Sequence, residues 1–177
     1  MVRTHVMEAI VPHSSDEAMQ LLDRLMQAID RLKAEHSRLS IALKRLYSDT
    51  CAVRGEENSY AINQLMIRLR STVRQFKSQL ASHSRWEESE LIPLAVWYFG
   101  NDMDVFTLME QEHVLAEHYI DAFLMQVDQP PERPIDHVEA QRLASYLLQA
   151  YAILTNHFKE EEDMLDAFAD QSNGYGF

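Results

Sequence analysis

With one cysteine, Cys51, in 177 residues, the chain can build neither a disulfide framework nor a thiolate metal cluster, and it is expected in a reducing compartment. Glycine and proline are scarce at 4 and 5, which removes the punctuation that tight turns need; with nine methionines, helix is favoured over sheet. No apolar run approaches the ~18 residues of a membrane span. The opening MVRTHVMEAIVPH also lacks a signal-peptide cleavage pattern. The expectation is a cytoplasmic protein with no membrane partner. Basic residues are few, 16 against 28 acidic, for a net charge of -12. That balance argues against nucleic acid and anionic membrane surfaces, both of which call for basic patches. It does not by itself signal metal binding, because most of those carboxylates are expected on solvated helix faces.

What remains reads as one domain of long amphipathic helices. Residues 1–13 form a partly apolar leader ending at Pro12, 14–170 a bundle, and 171–177 a flexible tail. Ser14 with Glu17 is a capping box opening a first helix, which runs to about Asp49. Residues 50–58 are a connection around Gly55. A second helix runs from Ser59 to Ile92, where Pro93 ends or kinks it. The segment PLAVWYFGND turns the chain at Gly100, with Asn101 or Asp102 as the next cap, and a third helix reaches Val127. After the loop DQPPERP, Asp136 with Glu139 opens the fourth. Four such helices with short connections predict an all-α, antiparallel up-down four-helix bundle.

The last helix carries an apolar seam at steps of four and three: Leu143, Leu147, Ala150, Leu154, Met164 and Phe168. His157 and Glu161 fill the gap in that series. In the second helix, Met66, Leu69, Val73, Phe76 and Leu80 lead without a break to His83 and Glu87. His36 and His113 occupy seam positions in the first and third. Residues four apart share a helix face, so each His/Glu pair can reach one point in space. A carboxylate in a core costs several kcal/mol unless it is paired or bound to a metal. Depth agrees as well. The midpoint between 83/87 and 113/117 is residue 100, inside a turn, and that between 113/117 and 157/161 is residue 137, at the end of a loop. The first helix fits less neatly, since the midpoint of 36 and 85 lies near 60.

Spacing alone says little: eight histidines and 16 glutamates give about 0.7 His-x-x-x-Glu pairs by chance. The chain has four, of which His13/Glu17 lies outside any seam. A lone seam histidine is usually a hydrogen-bonded core residue. Four on four helices, with two seam glutamates, point instead to a metal site. Imidazoles with two carboxylates suit iron, manganese or zinc, and a pair of metals about 3.5–4 Å apart better than one ion. Glu35, Glu88, Glu90, Glu160 and Glu162 lie off the seam and read as solvated, with contacts to the histidine rings as the alternative.

The ordered pattern His36, HSRWE at 83–87, EQEH at 110–113 and HFKEE at 157–161 resembles the hemerythrin-like, or HHE cation-binding, domains over residues 20–168. The resemblance implies a non-haem di-iron centre, two iron ions with His36, His83, His113 and His157 as terminal ligands and Glu87 and Glu161 as bridges. It also implies a small diatomic ligand, O2 or NO, or a peroxide, and a role in stress sensing, iron handling or protection. Oxygen-carrying hemerythrins resemble H-x-x-x-H on the third helix and H-x-x-x-x-D on the last. Here the third reads HVLAE, with Glu117 either a replacement ligand or an outward-facing glutamate. Iron-centre repair proteins of the superfamily add a histidine near the start of the second helix, where this chain has Glu56, Glu57 and Asn58. A ferritin-like arrangement needs two Glu-x-x-His pairs, and only Glu110/His113 qualifies.

Two alternatives stand beside this one: a metal-free interaction bundle whose polar layer specifies register, and a mononuclear or zinc site without redox function. No nucleophile, base pair or substrate pocket is visible, so enzymatic activity is left open. So is a homodimer through the leader or the PLAVWYF segment.

Overall fold

The computed structural model describes residues 10, 12–100, 103–128 and 134–174, with the side chains of 103–105 and 168–174 excluded. Its helices are α1 (Ser15–Gly55), α2 (Ser59–Trp86), α3 (Ile92–Phe99), α4 (Met103–Val127) and α5 (His137–Gly174). Among the described residues there is no strand. α1 packs on α2 and α5, and α4 on the other sides of the same two, so the four long helices close a ring as an antiparallel bundle. Among the described residues no helix is long and apolar enough to cross a membrane.

The caps form as the sequence implies. Ser14 Oγ accepts from the N–H of Glu17 at 3.2 Å, and Glu17 Oε2 accepts from the N–H of His13 at 2.6 Å. Asp136 Oδ1 accepts from the N–H of Glu139 at 2.9 Å. The first connection is shorter than expected, because α1 continues to Gly55 rather than ending near Asp49. Its apolar seam does not stop there: Leu46, Thr50 and Val53 are all buried, and the Thr50 hydroxyl donates to Leu46 O at 2.7 Å, so the residue that looks like a polar stop is satisfied inside the helix. Only Glu56–Asn58 remain to turn the chain. Asn58 then caps α2, accepting from the N–H groups of Tyr60 and Ala61. The last helix likewise extends to Gly174, past the start expected for a tail; residues 175–177, most of the leader, and the caps expected at Asn101 or Asp102 lie outside the described residues, as does the Phe168 side chain.

Pro93 neither ends nor breaks the second helix. A π-helical turn, Glu87–Leu91, intervenes, in which the N–H of Ile92 bonds to Glu87 O. The helix then restarts as α3 with Pro93 in its first turn, where a missing N–H is harmless. The PLAVWYF segment is therefore helical, and the chain leaves α3 at Gly100, at φ 88 and ψ 179. This backbone region is essentially open to glycine alone. Gly100→Ala, although its Cβ would meet nothing within 4 Å, is expected to destabilise by roughly 1–3 kcal/mol, seen as a lower denaturation midpoint with an unchanged slope.

The core is divided. One apolar cluster, including Leu39, Phe76, Leu80, Ala116, Leu154 and Phe158, fills the part of the bundle nearer the α1–α2 connection. A second, including Leu32, Leu91, Ala95, Met109 and Leu165, fills the other end. The histidines and glutamates of the seam lie between the two clusters on every long helix.

Candidate metal centre

His36, His83, Glu87, His113, His157 and Glu161 are all buried, none more than 5% exposed. On α2 and α5 the His/Glu pair replaces two successive seam residues, and on α1 and α4 a single histidine does so. The ring nitrogens of His36 and His83 meet at 3.1 Å, Nε2 to Nε2. Glu87 Oε1 lies 2.6 Å from His83 Nε2 and 3.7 Å from His36 Nε2, while its Oε2 lies 3.5 Å from His113 Nε2. Glu161 Oε2 lies 3.2 Å from His36 Nε2 and 3.7 Å from His157 Nε2. These atoms form two donor groups, each within 4.8 Å: His36, His83, Glu87 and Glu161 in one, Glu87, His113 and His157 in the other. Glu87 is common to both.

The outer nitrogens decide what the inner ones can do. His36 Nδ1 pairs with Glu162 Oε1, His83 Nδ1 with Glu35 Oε2, and His157 Nδ1 with Glu112 Oε2, each at 3.0 Å. A carboxylate acceptor there assigns the proton to Nδ1 and leaves the lone pair of a neutral ring on Nε2. Two such lone pairs facing each other at 3.1 Å repel unless a cation or proton stands between them. Glu87 Oε1, His113 Nε2, His157 Nε2 and Glu161 Oε2 are buried without a hydrogen-bond partner of acceptable geometry. Four orphaned polar atoms between two apolar clusters are not tolerable as a hydrogen-bond network. They fit metal cations.

Without cations the layer redistributes protons instead. Burial disfavours charge on His36, but its contacts with Glu161 and Glu87 outweigh that and raise it to about 9. Burial likewise works against the Glu87 carboxylate, which the imidazoles of His36, His83 and His113 around it nonetheless hold at about 2. Desolvation pushes His113 down to about 3 and pushes the Glu161 carboxyl up. The proton on His36 at pH 7 must leave before its Nε2 can bind a metal. Loading the metal-free chain in weak buffer at pH 7 is expected to release about one proton or more per chain, read with a pH indicator; a pH-neutral titration would contradict the proton assignment to His36.

Of the seven residues marked in the sequence, the structure brings six together. Glu117 is half-buried and belongs to neither donor group. Its carboxyl is raised by burial, with Lys77 opposing and Asp121 and Glu88 adding to the shift. Three further carboxylates stand at the centre, two of them by the alternative rather than the preferred reading. Glu35 and Glu162 read as solvated, and Glu112 carried no signal beyond its place before His113. The expectation failed because each serves a histidine of another helix: Glu35 on α1 holds His83 of α2, Glu112 on α4 holds His157 of α5, and Glu162 on α5 holds His36 of α1. His113 has no such partner among the described carboxylates. Glu88, which follows Glu87 as Glu162 follows Glu161, lies in the π-helical turn and is exposed.

A four-helix bundle with a buried layer of histidine and glutamate, its outer nitrogens oriented and its inner atoms unpaired, defines a cation-binding bundle. The family model described as the hemerythrin HHE cation binding domain matches residues 27–169, and the chain belongs to that family. No curated protein and no solved structure gives a match.

Proposed function

We propose that the layer holds two iron ions and that the protein binds or reacts with a small diatomic ligand, O2 or NO, or with peroxide, in stress sensing, iron handling or protection in the cytoplasm. The observation that supports two ions over one is the position of Glu87 in both donor groups. Paired iron would supply one-electron exchange and affinity for such ligands; manganese suits the same donors, and zinc suits them without the redox chemistry. His36, His83, His113 and His157 bind through Nε2, and Glu87 and Glu161 neutralise the charge. Glu35, Glu112 and Glu162 fix three of the rings in the productive tautomer. Phe158, its ring centroid 4.5 Å from that of His36, and the apolar clusters on either side keep water from the layer. With no fifth imidazole and with Glu117 set apart, carboxylate makes up more of the donor set than in the oxygen carriers that the sequence resembles. That favours reaction and iron exchange over reversible carriage.

Metal analysis and one absorption spectrum of the as-isolated protein test this reading. Close to two irons per chain and near-ultraviolet charge-transfer bands that bleach on reduction and return with oxygen are expected. A single metal per chain, zinc alone, or no metal overturns it.

A further inference from the structure

The seam between α1 and α2 carries an open groove of about 850 Å³, running from Asp49 and Leu65 at one end to Glu35 and His83 at the other. Three arginines line it, Arg38, Arg45 and Arg68, all exposed. None is in an ion pair with a described carboxylate, and the one bond from Arg38 Nε goes to its own helix, at Ala34 O. This is unusual in a chain of net charge -12. It follows from how charge is arranged on α2, which has Arg68, Arg70, Arg74, Lys77 and Arg85 and no acidic residue between Ser59 and Trp86. On the side facing α4, Arg70 and Arg74 pair with Asp128, and Lys77 pairs with Asp121. On the side facing α1 the positive charge is left uncompensated.

The two helices are antiparallel about the Glu56–Asn58 connection, so Arg45 stands level with about residue 69 and faces Arg68 across the groove. Arg38 is seven residues, about 10 Å, further along α1. Between these levels the groove is lined by Leu39, Ala42 and Phe76 together with Ser71, Thr72 and Gln75. Beyond the arginines a carboxylate closes each end, Asp49 past Arg45 and Glu35 past Arg38.

We infer that this groove is a binding site for an organic dianion whose two oxyanion groups stand about 10 Å apart across a flexible linker. Arg45 and Arg68 together present paired N–H groups to one carboxylate or phosphate, the geometry in which guanidinium binds such groups best. Arg38 takes the second, and Ala42 leaves room for the linker. Asp49 sets the length at one end by repelling an anion that extends past it; at the other end Glu35 is paired with Arg31 and bonded to His83. The groove meets the cation layer at one end, where Glu35 and His83 line it, while its three arginines stand outside the layer, and the assignment does not depend on which metal the layer holds.

Calorimetric titration of the as-isolated full chain with nonanedioate, whose carboxylates span about that distance, tests the assignment, with nonanoate and inorganic phosphate as one-headed probes. Metal content measured before and after excludes heat from chelation. The wild type is expected to bind nonanedioate about tenfold or more tightly than either one-headed probe. Arg45→Gln/Arg68→Gln, and separately Arg38→Gln, are expected to weaken it about tenfold, whereas Arg142→Gln on α5 leaves it unchanged. All these positions are solvent-facing, and a wild-type melting curve for each variant excludes misfolding. Equal affinity for phosphate and nonanedioate, equal binding by the arginine variants, or no binding by the wild type would each overturn the proposal.

Discussion

Stripping the cations with a chelator is expected to lower the melting temperature by roughly 15–30 °C, and re-addition of ferrous iron without oxygen to restore it. A ligand that binds only the folded chain stabilises it by about 4 kcal/mol when present at a thousand times its dissociation constant, and two ions do so twice. For a domain of this length each kcal/mol moves the midpoint by about 2–4 °C. The direction follows from geometry rather than from the size of the estimate. In the metal-free chain Glu87 Oε1, Glu161 Oε2 and the Nε2 atoms of His113 and His157 are buried with no hydrogen bond of good geometry, between two apolar clusters, and a charged His36 balances only part of the layer. Scanning calorimetry with and without chelator decides the matter. An unchanged melt would mean that protons alone satisfy the layer, and the bundle would be a metal-free one.

Replacing Glu87 with glutamine is expected to empty both donor groups at once, leaving less than one metal ion per chain after desalting. Glutamine preserves the volume, but it removes the negative charge from both groups and offers one acceptor oxygen where the carboxylate offered two. The outer carboxylates should behave differently. Glu35→Gln, Glu112→Gln and Glu162→Gln leave every inner atom in place and exchange the charged acceptor of an Nδ1–H for a neutral amide oxygen, so the ions remain but are held about tenfold less tightly, and replacement by alanine, which removes the acceptor outright, costs up to about 100-fold. Elemental analysis and competition with a chelator of known affinity separate the two outcomes. If the Glu87→Gln protein retained two ions, this carboxylate would not be shared, and the two groups would be independent sites.

The bundle itself was open to reading in one dimension. Seam residues recur at four and three, and the first and last helices announce their starts with a capping box, because helical periodicity and end chemistry are local properties. The same periodicity placed His36, His83, Glu87, His113, His157 and Glu161 inside. Boundaries were less legible where a polar residue is satisfied within its own helix, as Thr50 is by Leu46 O, and where a register shift lets a proline into a helix, as the π-helical turn does before Pro93.

From the sequence alone came the fold class, the inward face of each helix and the six buried donors, all of which depend on contacts within a few residues. Only the packed structure decided which carboxylate serves which histidine. Glu35 and Glu112 each precede a core histidine in the chain yet bond to one on a neighbouring helix, because one residue of helix rotates a side chain about 100° and turns it toward the adjacent rod. The exclusion of Glu117 from both donor groups and the exposure of Glu88 have the same cause: whether a carboxylate reaches the centre depends on how the helices are rotated against one another, and no spacing along the chain records that.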